Sequence, residues 1–317
     1  MTELVDNTQY IRKASLIVLD HQDGLDLTDL HFTFKSSQAD EESPNNCSIR
    51  VHNLGEHLMQ KVQKENNRII LQAGYESSYG VIFDGTIKQF RIGREPDGVT
   101  TYLDILAADG DIAYNYAMVN ESLAAGSTAQ QRIDRNLAAM KELGVSKGTI
   151  ILPEGTGGTL PRGKVLWGLA SARLRAQVQN VGATWTIKNG KVNIIPLTGY
   201  LPGEAVVVNS DTGLIGRVEQ TANGMTARCL LNPKLVVGGL VRIDAKSINQ
   251  TVQQGGGQLL AYDKIKNSVQ NFASVQADGL YRIYVAEYSG DTRGQDWYVD
   301  LTCLSVDQQT NLVKPYG

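Results

Sequence analysis

The sequence predicts a mainly β protein in which two antiparallel β-barrel domains flank a small α+β insertion. Short runs rich in β-branched and aromatic residues recur through the first and last thirds, and polar turns separate them. Glycine is abundant, at 32 of 317 residues, as expected of a chain with many turns. Long patterns with helical periodicity are confined to the middle of the chain.

The first third, residues 1–120, is predicted to form the first barrel. Phe32 and Phe34 alternate with polar neighbours, and Ile87, Phe90 and Ile92 do the same. Such alternation is typical of a sheet with one solvated face. The pattern predicts strands at 14–19, 30–35, 47–54, 68–75, 80–92 and 101–108, with a helical turn near 55–64 across one end.

Two helices and a hairpin are predicted for the middle segment, residues 121–198. The run 128–143 begins with Ser/Thr, has apolar residues at helical spacing and is followed by a glycine. A second helix is predicted between residues 163 and 180. Asn189-Gly190 lies between two alternating runs and favours a type I′ hairpin turn. Together these elements would make a small α+β domain.

The last third, residues 199–317, returns to glycine-punctuated strands and is predicted to form a second, smaller barrel. A flexible loop tip is expected around 253–257, and a weak helical pattern covers 261–270. The predicted strands are 214–220, 225–231, 240–246, 279–288 and 297–304.

Composition says little about binding partners. The 30 basic and 33 acidic side chains leave a formal charge of −3, which gives no basis for wrapping nucleic acid or docking on an anionic membrane. Cys47, Cys229 and Cys303 are odd in number and lack C-x-x-C spacing, so neither a disulfide framework nor a zinc site is predicted. The start of the chain does not resemble a signal peptide, and no apolar run approaches the ~20 residues that span a bilayer. We therefore expect assembly in a reducing cytoplasm.

One stretch comes close to a nucleotide-binding loop. G-T-L-P-R-G-K-V, residues 158–165, lacks only the final residue of the pattern G-x-x-x-x-G-K-[ST]. Val165 stands where a magnesium-binding hydroxyl is needed, and Pro161 removes a backbone N–H that a phosphate cradle uses. The stretch is therefore interpreted as a structural loop that opens the second helix at Gly163 or Lys164.

The histidines carry no pattern of catalysis or metal binding. His21, His31, His52 and His57 all lie in the first barrel without zinc-site spacing, and they are interpreted as scaffold residues. D-H-Q-D-G-L-D, residues 20–26, misses the order of a calcium loop and is interpreted as a turn between strands.

No catalytic constellation is predicted either. There is no G-x-S-x-G elbow, and no carboxylate pair is singled out. The D-T-R-G turn, residues 291–294, is expected to be a hairpin held by a local ion pair. An aromatic group near the end of the chain favours a sheet face or an oligomer interface over a stacking platform for bases or sugars. This group consists of Tyr281, Tyr284, Tyr288, Trp297 and Tyr298.

Several phrases occur in order along nearly the whole chain. Those in the first third are R-V-H-N-L (50–54), I-L-Q-A-G-Y (70–75), I-F-D-G-T-I (82–87) and A-A-D-G-D-I-A-Y (107–114). Those in the last third are G-L-I-G-R-V-E (213–219), L-L-N-P-K-L-V-V-G-G (230–239) and G-D-T-R-G-Q-D-W-Y (290–298). Together they resemble the baseplate hub proteins of contractile phage tails, and A-G-Y followed by F-D-G-x-I is the most specific of them.

The resemblance implies a homotrimer on the tail axis, in which each chain contributes two tail-tube-like barrels. The implied partners are tail tube proteins, the central spike protein and other baseplate proteins, with a tape-measure protein as a further candidate, while DNA would only pass through the lumen. It implies no enzyme, no cofactor, no metal and no membrane binding by the chain itself. The alternative is a cell-wall-degrading tail enzyme, for which Glu154, Glu287 and Asp291 are the candidate carboxylates.

The A-G-Y and F-D-G segments also allow a local prediction. About seven residues separate them, and Ser77, Ser78 and Gly80 are turn formers, so the two segments should form adjacent antiparallel strands. The glycines should mark a bulge or a close approach of backbones, and Phe83 should point into the core.

Overall fold

The computed structural model describes residues 9–20, 23–62, 67–153, 155–156, 158–221, 224–243, 248–249 and 279–306. Within the first third, the predicted strands and the helical turn are confirmed. The elements are β1 (Arg12–Asp20), β2 (Asp23–Asp26), β3 (Phe32–Ala39), β4 (Asn46–His52), α1 (Glu56–Val62), β5 (Arg68–Tyr75), β6 (Ser78–Arg94) and β7 (Thr101–Ala108). Two details differ from the prediction. Residues 23–26 form a short strand that pairs back on β1, and Ile92 is 56% exposed because β6 extends beyond the core.

The predicted hairpin of β5 and β6 is present, with Tyr75 opposite Ser78 across a two-residue turn. A bulge places Leu71 opposite Phe83 and Gln72 opposite Val81, so Ile82 is the extra residue. This bulge lets the consecutive residues Ile82 and Phe83 both reach the core, where they are 2% and 1% exposed.

Glycine is needed at two positions of this hairpin, as predicted. Gly74 has φ +154°, and a Cβ there would overlap the carbonyl oxygen of Ser78. A Cβ at Gly85 would lie 2.6 Å from the carbonyl oxygen of Ala108 and 2.7 Å from Cζ of Phe83. The glycines of the A-G-Y and F-D-G phrases therefore mark places where another stretch of backbone approaches closely.

The middle segment contains the predicted first helix and the predicted hairpin. Thr128 caps α3 in a capping box with Gln131, and Asn189 and Gly190 have φ of 51° and 69°, as a type I′ turn requires. The elements from residue 111 onward are α2 (Asp111–Tyr116), β8 (Met118–Leu123), α3 (Ala129–Lys141), β9 (Ser146–Ile150), β10 (Lys164–Leu169), α4 (Ala170–Asn180), β11 (Ala183–Lys188) and β12 (Lys191–Pro196). Of these, α2 and the first half of β8 precede the predicted boundary at residue 120 but pack with this segment.

The predicted second helix is wrong in its first half. Residues 164–169 form β10, which pairs antiparallel with β8, and α4 begins only at Ala170. Neither Gly163 nor Lys164 opens a helix. The physical reason lies in Gly168, whose φ of +113° is incompatible with a right-handed helix, and in the short apolar run 165–169, which also suits a strand.

In the last third, strands are present at all five predicted places, although residues 244–246 of the third lie outside the described residues. The elements are β13 (Val206–Val208), a single 3₁₀ turn (Ser210–Thr212), β14 (Leu214–Thr221), β15 (Gly224–Leu230), β16 (Leu240–Ile243), β17 (Ile248–Asn249), β18 (Leu280–Asp291) and β19 (Trp297–Ser305). The loop tip at 253–257 and the helical pattern at 261–270 lie outside the described residues.

Strands of the first and last thirds share one sheet. Within the described residues it has 14 strands, and β3 joins β18 through seven residue pairs from Thr33–Asp291 to Ala39–Val285. One hydrophobic cluster accordingly runs through both thirds, whereas the middle segment has a cluster of its own around Trp185. The mainly β fold with a small helical part is confirmed. We keep the domain boundaries at residues 120 and 198 as a proposal.

A buried arginine joins the three segments. Arg282 of β18 is 6% exposed and forms an ion pair with Asp40, which follows β3. Its Nη1 donates hydrogen bonds to the carbonyl oxygens of Pro196, Leu197 and Gly199, at 3.3, 3.0 and 2.8 Å. Burial lowers the pKa of Arg282 to about 10, so the side chain stays charged at neutral pH.

Candidate assembly surfaces

The β8–β10 pair exposes an apolar face. Met118, Val165, Trp167 and Leu169 are 56, 66, 64 and 41% exposed, whereas Val119 and Leu166 on the opposite face are at most 2% exposed. The register places Leu169 opposite Met118 and Trp167 opposite Asn120, so these side chains share one side of the pair. We call Met118, Val165, Trp167 and Leu169 the apolar ribbon.

Exposed basic side chains lie close to the apolar ribbon in sequence. Arg162 precedes β10 and Lys164 begins it, and the alternation of the strand places Lys164 on the face of Leu166, opposite the ribbon. Arg173 of α4 is also exposed. The Nε of Arg173 donates a hydrogen bond to the carbonyl oxygen of Trp167 at 2.7 Å. Large exposed apolar patches with a polar rim are typical of protein interfaces, and Trp and Arg are the residues that most often dominate their binding energy.

A groove of about 530 Å³ lies elsewhere on the molecule, between the β5–β6 turn and β13. Ser78, Glu204, Val207 and Lys234 contribute to its lining. Among the residues that line it, Glu204 and Lys234 carry opposite charges. Tyr10 and Ile11, each 71% exposed, follow the lining residue Gln9. We call this feature the β5–β13 groove.

The near-match to a nucleotide-binding loop does not have the corresponding geometry. A strand, β10, follows Gly163 where a helix N-terminus would have to point at phosphate. The loop is instead tied to the segment before α3, since Gly126 N donates to Leu160 O and Leu160 N donates to Ser127 O. The interpretation as a structural loop stays a prediction, and the element that the loop opens is a strand.

His31 and His52 contact each other, which the sequence did not predict. Their rings are stacked with centroids 4.3 Å apart, and His31 Nε2 lies 2.9 Å from Asp291 Oδ1. Burial, followed by the neighbouring His31, lowers the pKa of His52. His57 is exposed on α1, and His21 lies outside the described residues. The groups of His, Cys, Asp and Glu among the described residues include none of three or more that could hold a metal ion.

The candidate carboxylates of the alternative function are not arranged as a catalytic pair. Glu287 and Asp291 lie four residues apart on β18, which separates them by roughly 13 Å along a strand, beyond the ~5 to 9.5 Å of glycoside hydrolases. Asp291 accepts hydrogen bonds from the backbone of Arg293 and Gly294 and from His31, so the predicted turn is held by these contacts. Glu154 lies outside the described residues.

The aromatic group is mostly core. Tyr281, Tyr288 and Trp297 are at most 1% exposed, which excludes them both from a stacking platform and from a surface interface of this chain. Tyr288 donates a hydrogen bond to the carbonyl oxygen of Leu235 at 2.5 Å, and the indole of Trp297 donates one to that of Gly74 at 3.2 Å. Of the two predicted alternatives, a sheet face agrees with the burial of these three residues and an oligomer interface does not; Tyr284 and Tyr298 are half-buried.

The three cysteines are buried and free. Burial raises the pKa of each thiol, to about 12 for Cys229. A thiol with so high a pKa carries little of the reactive thiolate at neutral pH. The cysteines therefore act as small apolar core residues.

Asp109, in the loop between β7 and α2, is a buried carboxyl that faces the Asn189-Gly190 turn. It is 2% exposed and accepts a hydrogen bond from Gly190 N at 2.9 Å. Burial raises the pKa of Asp109 to about 7 and lowers that of the neighbouring Lys188 to about 8. The pair links the first sheet to the middle segment.

Asp109 should make the stability pH-dependent. In the unfolded chain it ionises near pH 3.8, but in the folded chain only near 7, so its contribution to stability falls as pH rises between these values. Lys188 is protonated in both states over this window. We expect Asp109→Asn to gain stability relative to the wild type as pH rises from 4 to 7, measured by urea unfolding at several pH values. If the free energies of unfolding of the two proteins changed with pH in parallel, the raised pKa of Asp109 would be contradicted.

Comparison with known proteins shows the fold. The chain is similar to a 43 kDa tail protein of prophage MuSo2 from Shewanella oneidensis, with TM-score 0.57, 7% identity and coverage of 92% of this chain and 97% of that one. It is also similar to a tail protein from Neisseria meningitidis MC58, with TM-score 0.58, 8% identity and coverage of 93% and 97%.

A third similar structure is the c3393 protein, a type VI secretion component of E. coli described as structurally similar to bacteriophage T4 tail proteins. Its TM-score is 0.55 at 9% identity, and the alignment covers 94% of this chain and 78% of that one. No family model matches the sequence, and no curated protein matches it. The chain thus has the fold of phage tail and type VI secretion proteins, and this agrees with the resemblance read from the sequence.

Sequence reasoning missed the apolar ribbon, although a signal was present. V-L-W-G-L, residues 165–169, is a short apolar run, which fits a strand as well as a helix. The helical pattern of the following residues extended the predicted helix over it. The β5–β13 groove had no such signal, because the chain segments that line it are far apart in sequence.

Proposed function

We propose that this chain is a structural component of a contractile phage tail, the baseplate hub, which forms a homotrimeric ring on the tail axis and links the tail tube to the central spike. The observation that carries the proposal is the fold, which is shared over more than 90% of the chain with tail proteins. The order of the hub-like phrases along the sequence supports the same assignment.

Physical features of the surface favour an assembly role. The β8–β10 pair is a two-stranded sheet, so it has open strand edges in addition to its apolar ribbon. Open edges and exposed apolar faces favour association unless another chain covers them. Pairing with neighbouring subunits covers such surfaces and fixes the symmetry of the assembly.

A structural role also accounts for the chemistry of the chain better than the cell-wall enzyme does. The two described carboxylates that prompted the enzyme hypothesis lie too far apart for either glycosidase geometry, and one of them holds a turn. We propose that the chain has no enzymatic activity. The partners would be the tail tube proteins, the spike protein and further baseplate proteins, in a particle assembled in the host cytoplasm.

Light scattering at several protein concentrations tests the proposal. We expect a mass of three chains, either for the protein alone or after addition of tube and spike proteins. A strict monomer under both conditions would contradict the hub. Zymography on peptidoglycan is the companion experiment: clearing that is lost in Glu287→Gln or Asp291→Asn would favour the enzyme.

A further inference from the structure

We propose that the outer edge of β10 is a docking site for an extended, acidic segment of another protein, which adds to the β8–β10 pair as a third strand. We call this edge, at Val165, Trp167 and Leu169, the β10 edge. The contact goes beyond the proposed hub, because its occupant is a different protein and no trimer is needed to form it.

The hydrogen-bond pattern of the pair leaves backbone groups of β10 that point outward. Ala170 N donates to Ala117 O at 2.8 Å, and these two residues continue the register of β10 with β8. In an antiparallel ladder, residues that bond across the pair alternate with residues whose N–H and C=O point away from it. Val165, Trp167 and Leu169 are therefore the residues of β10 whose backbone groups face away from β8.

The outward N–H groups of this edge are open. The Nε of Arg173 donates to the carbonyl oxygen of Trp167, which agrees with an outward direction of that carbonyl. Of the residues that the structure describes, none accepts a hydrogen bond from the N–H of Val165 or of Trp167. Unpaired backbone groups on a strand edge are a template for pairing with another chain, and several protein families bind extended peptides in this way.

Side chains distinguish the β10 edge from the opposite edge of the pair. The residues of β8 that face away from β10 are Met118, Asn120 and Ser122, of which two are polar. At the β10 edge, Val165 and Trp167 are 66 and 64% exposed. A strand added beside β10 would cover these two side chains with its own, since side chains on one face of neighbouring strands lie about 5 Å apart.

Charge gives the partner its chemistry. Residues 121–198 carry ten lysines and arginines but four aspartates and glutamates, whereas the rest of the chain has more acidic than basic side chains. Two of those four carboxylates are already paired, with Arg135 and Lys147. Lys164 is exposed on the face of β10 opposite the apolar ribbon. A carboxylate on that face of the added strand would lie beside Lys164 and stabilise the pairing.

A second copy of this chain fits the β10 edge less well. If two copies paired edge to edge at β10, two segments that each carry an excess of basic side chains would meet. Like charges brought together at a contact suppress such a pairing. The recognised segment should therefore be extended, with apolar side chains on one face and acidic side chains on the other.

Titration with a synthetic peptide tests the docking. The probe is a short peptide in which valine alternates with glutamate, blocked at both ends. Trp167 is the reporter, because the other two tryptophans, Trp185 and Trp297, are 1% exposed. We expect a saturable blue shift of the tryptophan fluorescence as the peptide covers Trp167. The absence of a saturable shift at millimolar peptide would overturn the proposal.

Val165→Pro tests whether the backbone edge makes the contact. Proline is tolerated on an edge strand where the N–H faces solvent, so the variant should stay folded, as circular dichroism verifies. It should bind the peptide about tenfold more weakly, because the peptide carbonyl that faces residue 165 loses its donor. Ser122→Pro is the matched control: Ser122 lies opposite Val165, is exposed and faces the other edge, so this variant should bind like the wild type. Equal affinity of Val165→Pro and Ser122→Pro would overturn the edge contact.

A methylated peptide supplies the same test without a change in the protein. Methylation of each backbone nitrogen removes the donors of the peptide but keeps its side chains. This peptide should not bind, because it cannot continue the ladder at the β10 edge. If it bound as well as the unmodified peptide, adsorption on the apolar ribbon would explain the binding and the third strand would be excluded.

Exchange of the peptide charges tests the acidic partner. A peptide with lysine in place of each glutamate should bind the wild type about tenfold more weakly, and Lys164→Glu should reverse this preference. Lys141→Glu makes the same change at an exposed site on another element, the end of α3, and should keep the preference for glutamate. Equal affinity of the wild type for the two peptides would contradict an acidic partner.

Sedimentation velocity separates the docking from self-association. Val165→Pro should have the same mass as the wild type under every condition in which the wild type forms trimers. If Val165→Pro dissociated such trimers, a second copy would occupy the β10 edge and the proposed partner would be wrong. A wild-type chain that stays monomeric with its tail partners but binds the peptide would overturn the hub and leave the docking site standing.

Discussion

Replacing Arg282 by methionine is expected to lower the free energy of unfolding by about 3 to 5 kcal/mol. The substitution removes the ion pair with Asp40 and three hydrogen bonds to the carbonyl oxygens of residues 196–199. The carboxylate of Asp40 would remain buried without its partner, and that is the main cost. Urea unfolding at pH 7 measures the loss.

Arg242→Met is the matched control for this prediction. Arg242 lies on β16 opposite Leu280 of β18 but is exposed, so its loss should change stability by no more than about 0.5 kcal/mol. Adding Asp40→Asn to Arg282→Met should recover part of the stability, because it removes the stranded charge. Equal stability of Arg282→Met and Arg242→Met would show that the buried arginine does not join the three segments.

Truncation of Phe83 to alanine should lower the free energy of unfolding by about 3 to 5 kcal/mol, the range for removing a buried phenyl ring. Phe83 is 1% exposed in the cluster that runs through both β-rich thirds. Cζ of Phe83 lies 2.7 Å from the place where a Cβ of residue 85 would be, and Gly85 offers no side chain to fill the cavity. Because the shared sheet would be weakened, assembly into the proposed trimer should be lost with the stability.

Val81→Ala provides the comparison on the same strand. Val81 is 36% exposed and lies on the other side of the bulge. The substitution should therefore lower the free energy of unfolding by less than about 1 kcal/mol. Thermal and chemical unfolding of both variants, with light scattering on the same samples, tests stability and assembly together. If Phe83→Ala changed neither the stability nor the assembly, the importance assigned to the A-G-Y and F-D-G segments for the fold would be contradicted.

Local chemistry made much of the fold predictable. The capping box of Thr128 and Gln131 begins α3 where the pattern places it, and Asn189-Gly190 forms the turn that its backbone preferences dictate. The β5–β6 hairpin follows from turn formers between two β-rich runs. In each case the residues that give the sequence signal lie within a few residues of the element that they predict.

Long-range pairing was not predictable in the same way. The seven pairs between β3 and β18 unite the two β-rich thirds across about 250 residues, and no local preference specifies them. The contacts of Arg282 have the same character. At residues 164–169 local preference was misread, because a helix begins immediately afterwards. For Tyr281, Tyr288 and Trp297 the sequence left a sheet face and an oligomer interface open, because alternation on a strand does not reveal which face the rest of the chain covers; the structure places them on a buried sheet face.

The most direct test of the proposed hub is a projection image of the assembled particle down its axis, with the position of this chain marked by a bound antibody fragment. The hub predicts three copies related by a threefold axis around a central hole, at the level between tail tube and spike. Labels at the outer rim of the particle, a different rotational symmetry at that level or a single label beside the axis would contradict it.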